Sequence, residues 1–261
     1  MILEHIGLAV RDFGIRVKYR LIPALLLLPL AGQAQENPSP QENPTLVGAA
    51  IRSRPAYDGS KSQRTDIIPV LRYYGRPWFA RTSQGVLEAG VRDELAPQFW
   101  AGAQIAYEAG RKKTESPFLE ARNEPDLEAG ASAGLHLEWD RRFGPVPVTF
   151  LIRARQHLDG DRGGQADLRA TAGVFSRGGL QAGVFGQATW GSESAQRSSY
   201  GSRKAGLAFT SVGVLGSFDL SRHWLLVGSF ELRTLRDDAA DSPLAERKSN
   251  RYTSAGLAYR F

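Results

Sequence analysis

Residues 127–139, LEAGASAGLHLEW, put Leu127, Ala129, Ala131, Ala133, Leu135, Leu137 and Trp139 on one side of an extended chain and Glu128, Gly130, Ser132, Gly134, His136 and Glu138 on the other. Side chains of a strand alternate between two faces, so an apolar face is backed here by one carrying two glutamates and a histidine. A single strand of this kind fits a soluble sandwich. Repetition is what narrows the choice. Val148, Phe150, Ile152 and Ala154 stand against Arg153, Arg155 and His157, and Leu180, Ala182 and Val184 against Gln181 and Gln187. Trp224, Leu226, Phe230 and Leu232 likewise stand against Glu231 and Arg233. An apolar face with an ionisable reverse, strand after strand, suits a sheet whose outside meets lipid and whose inside encloses a polar lumen. The expectation is an all-β fold, a transmembrane antiparallel up-and-down β-barrel. Its inward charges are Glu128, Glu138, Arg153, Arg155, Arg169, Glu231 and Arg233.

The alternation marks twelve strands, at 45–53, 66–74, 77–82, 85–92, 98–108, 127–139, 147–157, 166–176, 179–190, 204–218, 223–235 and 251–261. An even number closes such a barrel. Long polar connections at 54–65, 109–126, 158–165, 191–203 and 236–250 alternate with short ones at 75–76, 93–97, 140–146, 177–178 and 219–222. With both termini in the periplasm, the long set faces outward, as barrels of this kind are built. The link at Ser83 and Gln84 breaks the rule by being short on the outer side. Aromatics near strand ends, among them Trp78, Trp100, Trp139, Trp190, Trp224, Tyr259 and Phe261, are placed for interfacial girdles.

The N-terminus differs in kind. Arg16, Lys18 and Arg20 precede the apolar run Leu21–Ala31, followed by Gly32-Gln33-Ala34. A basic lead, an apolar stretch too short to span and a small-x-small site read as a secretory signal over 1–34, cleaved after Ala34. Residues 1–16 are a long mixed-charge lead-in, which suggests a true start near Val17. QENPSPQENP (35–44) repeats Gln-Glu-Asn-Pro and reads as an extended periplasmic linker before the barrel at 45–261. Loss of 1–34 removes four basic and two acidic residues and lowers the net charge from +6 to +4. That diffuse excess gives no nucleic-acid footprint. There is no cysteine, and the four histidines have no metal-ligand spacing, so neither a metal nor another cofactor is expected.

The chain resembles the MipA/OmpV (MltA-interacting protein) family of Gram-negative outer membranes. The resemblance rests on RPAYDGS (54–60, with Pro55, Tyr57, Gly59 and Ser60), DIIPVLRYY (66–74), AYEAGRK (106–112) and the 127–139 stretch. TWGSESAQRSSYGS (189–202) and DDAADSPLAERKSNRYTSAGLAYRF, with Asp241, Ser242 and Pro243, complete it. The resemblance implies an outer-membrane barrel that holds a murein hydrolase near a murein synthase; other members are described as adhesins or antigens.

Three function classes follow. A scaffold needs only a docking surface, for which the linker 35–44 and the periplasmic turn Asp140–Pro147 are candidates. A narrow pore would use the inward arginines, although twelve strands lie between barrels filled by side chains and barrels with open channels. Opposite charges on neighbouring strands are expected to pair across the lumen and close it. A hydrolase would need a convergent nucleophile and base; His157 beside Asp159 and Asp161 is the nearest candidate, and no catalytic residue is assigned. The last strand ends on Tyr259 and Phe261, an amphipathic edge that barrel-assembly machinery could pair with before insertion into outer-membrane lipid.

Overall fold

The structure, a computed structural model, describes residues 45–261. The signal segment with Ala34 and the linker 35–44 lie outside the described residues. Twelve antiparallel strands form a closed barrel in which each pairs with its sequence neighbour and the last closes on the first. They are β1 Leu46–Pro55, β2 Gln63–Tyr74, β3 Trp78–Ser83, β4 Val86–Ala96, β5 Phe99–Glu108, β6 Gly130–Phe143 and β7 Val146–His157. Then come β8 Gly164–Arg177, β9 Leu180–Gly191, β10 Gly206–Asp219, β11 Trp224–Leu235 and β12 Ser249–Arg260. Closure runs from Leu46 opposite Arg260 to Ser53 opposite Thr253, so the sheet has no free edge there.

The burial pattern is inverted relative to a soluble domain. Ile51, Ile67, Ile105, Leu135, Ile152, Val212 and Leu257 are exposed on the outer face, while Glu88, Gln104, Ser132, His136, Arg153 and Asp167 are buried. Strand alternation dictates both sets at once, because each strand must show lipid one face and the lumen the other.

Long connections gather at one end of the barrel, opposite both ends of the described chain. They include α1 Pro117–Ala121, α2 Glu193–Tyr200 and α3 Asp237–Ala240. The other end carries short turns. In one of them Gly178 and Gly179 both have positive φ, the backbone a two-residue hairpin favours.

Three expectations change in detail. The stretch 140–147 is not a loose turn: β6 and β7 stay paired through Asp140–Thr149 to Phe143–Val146, and the reversal is Gly144-Pro145 alone. The result is a projecting hairpin with Arg141, Arg142 and Phe143 exposed. The sixth strand begins at Gly130, which leaves Leu127 in an isolated bridge with Arg111 and Glu128 exposed before the strand.

The third change is a seam. β2 and β3 pair only from Arg72–Arg81 to Tyr74–Phe79, although β2 continues outward to Gln63. Pro69 lies opposite Ala49 of β1 on the stretch that has no β3 partner. Beyond the seam the β3–β4 turn leaves the wall and leans into the lumen. Arg52 Nη1 donates to the Gln84 carbonyl at 3.0 Å, and Gln84 Nε2 donates to Glu231 at 3.0 Å.

Candidate functional site

The lumen is built from inward side chains that meet across strands far apart in the wall. Arg81 on β3 bonds Glu88 on β4 at 3.0 Å and reaches Glu138 on β6 at 2.8 Å. Arg153 on β7 pairs with Glu88 as well, and with Asp167 on β8 at 2.7 Å. Arg155 lies 3.0 Å from Glu108 on β5 and 3.5 Å from Asp167. Asp167 also accepts from Thr189 Oγ1 at 2.7 Å. Because β3 and β6, or β4 and β7, are not neighbours, these pairs span the interior and do not merely decorate the wall. Among the described residues Arg169 has no carboxylate within ion-pair distance; its guanidinium lies 3.9 Å from the centroid of Phe185.

Toward the periplasmic end the lumen turns apolar. Leu46, Leu225 and Ala258 are buried against Val70 and Val227. On the other side Arg92 is held between the rings of Tyr74 at 4.2 Å and Trp100 at 4.3 Å, with Glu138 3.9 Å away. Trp100 therefore does not join the outer girdle. Trp78, Trp139, Trp190 and Trp224 are exposed on the outer face.

The outer end is roofed by its loops. Asp58 accepts from Arg233 Nη1 at 2.9 Å, from Tyr200 at 3.3 Å and from Tyr252. Arg233 pairs in turn with Glu231 at 3.1 Å. Asn250 fixes the same loop through both ends of its amide: it accepts from Gly59 N at 2.7 Å and donates to the Ser60 carbonyl at 2.8 Å. Glu246 accepts from Tyr57, Ser60 Oγ and Lys61 N at 3.0–3.2 Å. Gly59 has φ +97, and a Cβ there would crowd Leu235 and Ala245. Behind these bonds Ala56, Tyr57, Leu119 and Leu244 form an apolar cluster, and Tyr200, Phe209, Leu235 and Ala239 another. Burial, with Glu246 beside it, raises the Tyr57 pKa; burial and Asp58 push Tyr200 well up. Both phenols therefore remain neutral donors.

The two motifs that carry the family resemblance meet in this roof. Pro55 ends β1 buried, Ser60 is fully buried, and Ser242 Oγ accepts from Leu244 N at 3.1 Å, while Asp241 is exposed and pairs with Lys248 at 2.8 Å. Pro243 presents its carbonyl to Arg122. Of the expected lumen charges, Glu138, Arg153, Arg155, Arg169, Glu231 and Arg233 occupy inward positions on their strands, whereas Glu128 stays outside. Sequence reasoning missed Glu88, Arg81, Asp167 and Asp58 as partners. The alternation of β4 and β8 carried the signal for Glu88 and Asp167. His157 is buried, with Nε2 3.4 Å from Glu108 and Nδ1 unpartnered among the described residues. Phe261 exposes its ring beside Tyr259 at 5.0 Å, and its N–H donates to Thr45 O at 3.1 Å.

No curated protein matches the chain. Among solved structures, an outer membrane channel from Pseudomonas putida F1 superposes with a TM-score of 0.50 at 12% identity, over 86% of this chain and 100% of that chain. LpxR from Salmonella typhimurium gives 0.44 at 10% identity, over 82% and 100%. The first likeness shows the fold alone, that of an outer-membrane barrel. Residues 47–261, nearly all that the structure describes, match the family of the MltA-interacting protein MipA, and the chain belongs to that family of outer-membrane barrels.

Proposed function

We propose that this outer-membrane barrel is a closed scaffold that holds a murein-hydrolysing enzyme near a murein-synthesising one, and that it has no catalytic activity of its own. The observation that carries this reading is the set of ion pairs crossing the lumen, Arg81–Glu138 and Arg153–Glu88 above all. Charges that neutralise one another at short range block the path they line and offer a passing ion little. A roof held by Asp58, Asn250 and Glu246 closes the outer mouth, and an apolar floor lies below. The family description names an interaction with MltA, which supports a periplasmic enzyme as partner. Among the described residues His157 meets Glu108 and no hydroxyl, which favours a structural part for it.

Docking is assigned to the β6–β7 hairpin, whose Arg141, Arg142 and Phe143 are exposed, and to the linker 35–44. A photocrosslinker at Arg142 or within the linker, used in intact envelopes, should capture a murein hydrolase or synthase. Replacing either segment with Gly-Ser sequence should abolish capture while the barrel still folds. Strong conductance of the wild type in planar bilayers, with no capture from either segment, would replace the scaffold with a pore.

A further inference from the structure

Between the roof and the lumen ion pairs lies a cavity of about 250 Å³ lined by seven arginines and three carboxylates. The three acids are already engaged: Asp58 with Arg233, Glu108 with Arg155, and Asp167 with Arg153 and Arg155. Arg52 and Arg54 share Asp66, at 3.2 and 2.6 Å. Two further guanidiniums have no ion pair among the described residues, with carboxylates acting on them only at longer range, Glu124, Asp126 and Glu115 on Arg111 and Glu108 on Arg162. Arg111 is 7% exposed and Arg162 8%, and neither has a carboxylate within ion-pair distance among the described residues. Arg111 Nη1 donates to the Ser199 carbonyl at 3.2 Å and Arg162 Nη1 to the Glu128 carbonyl at 2.8 Å, contacts that satisfy single protons and cancel no charge. The Nε groups of Arg111 and Arg155 are buried with no hydrogen-bond partner among the described residues.

Buried charges without a counterion are costly, and replacing them with neutral groups is then favourable. A surplus retained here implies that something negative supplies the balance. Guanidiniums from separate elements line one chamber, and each carries several donors in a rigid fork that suits an oxyanion such as phosphate. Seven guanidiniums against three carboxylates leave the lining net positive, which favours a doubly charged phosphate. We propose that the chamber beneath the roof binds a phosphate group through Arg111, Arg162 and Arg155. The group belongs either to a soluble phosphate or to the headgroup of a lipid. The β3–β4 turn, Ser83 to Val86, borders the chamber beside the β2–β3 seam, which would be the lipid's way in.

Isothermal titration of inorganic phosphate into the detergent-purified barrel tests the soluble source, and flotation with vesicles containing phosphatidic acid tests the lipid source. Binding in either arm, with one site per barrel, is expected to weaken at least about tenfold in Arg111→Gln and in Arg162→Gln. Arg222→Gln, on an exposed turn away from the chamber, should bind as the wild type. Heat-modifiable migration shows that each variant has folded. A second readout separates binding from packing: in phosphate-free buffer the two chamber variants should melt at or above the wild-type temperature, since each sheds a buried charge that no direct ion pair balances. The proposal is overturned if neither probe binds, if the variants bind like wild type, or if they melt lower with no phosphate-dependent shift to lose.

Discussion

Asp58, at the tip of an outer loop, lies 2.9 Å from Arg233 on the lumen face of β11, joining the roof to the charge network below. The same carboxylate takes hydrogen bonds from Tyr200 and Tyr252, so one side chain ties three separate segments. Asp58→Ala leaves Arg233 with Glu231 alone in a confined site. Removal of one partner from a buried pair costs about 3–5 kcal/mol, and the partial exposure of Asp58 puts the expected loss near the low end, about 3 kcal/mol. Thermal melting in detergent should show that loss, and limited proteolysis should cut within 56–62. A variant that melts like wild type would mean that the roof does not depend on this pair.

Arg153 and Arg155 are the arms that cross the lumen from β7. Arg153→Ala with Arg155→Ala removes bulk and leaves Glu88, Glu108 and Asp167 short of counter-charge. Planar-bilayer current is expected to rise from a low wild-type level, with preference for cations because the freed carboxylates then set the field. A wild type that already conducts well would contradict closure by pairing.

The seam between β2 and β3 predicts uneven protection. In a closed barrel most strands are paired on both sides, but β2 outward of Arg72 has no β3 partner. Hydrogen exchange should be faster over 65–71 and 82–86 than over the fully paired β8 and β9, since opening there breaks fewer bonds. Uniform protection around the barrel would show that the seam is closed in the membrane.

Much of this was legible in the sequence wherever one strand decides the matter. Leu135 and Leu137 against His136 and Glu138 fix which face meets lipid without knowledge of any neighbour, and the outer loops declare themselves by length. What needed coordinates were relations between strands. Trp100 is apolar at a strand end in either reading, and its inward position follows from Arg92 and Tyr74, which other strands supply. Glu128 fits the alternation, yet the strand begins at Gly130 and the alternation has no meaning before it. The two family motifs, RPAYDGS and the stretch around Asp241, lie nearly at opposite ends of the barrel chain. That they form one roof depends on β12 closing on β1, which no local pattern reveals.

That closure also frames the last prediction. Phe261 carries an exposed ring beside Tyr259, which itself meets Trp224 at 5.3 Å, and its backbone reaches Thr45 at 3.1 Å, just before β1. Within the finished barrel the Phe261 side chain buries little, so its removal should cost little stability. Before closure the same residue ends an unpaired amphipathic strand, the kind of edge a receptor strand can extend. Deleting Phe261, or Phe261→Asp, should therefore lower the amount assembled in the outer membrane while synthesis and export stay normal. The barrel that does assemble should melt close to wild type. Quantifying heat-modifiable protein in outer-membrane fractions against total exported protein separates the two stages. Wild-type assembly of Phe261→Asp would leave the residue only its place in the interfacial girdle.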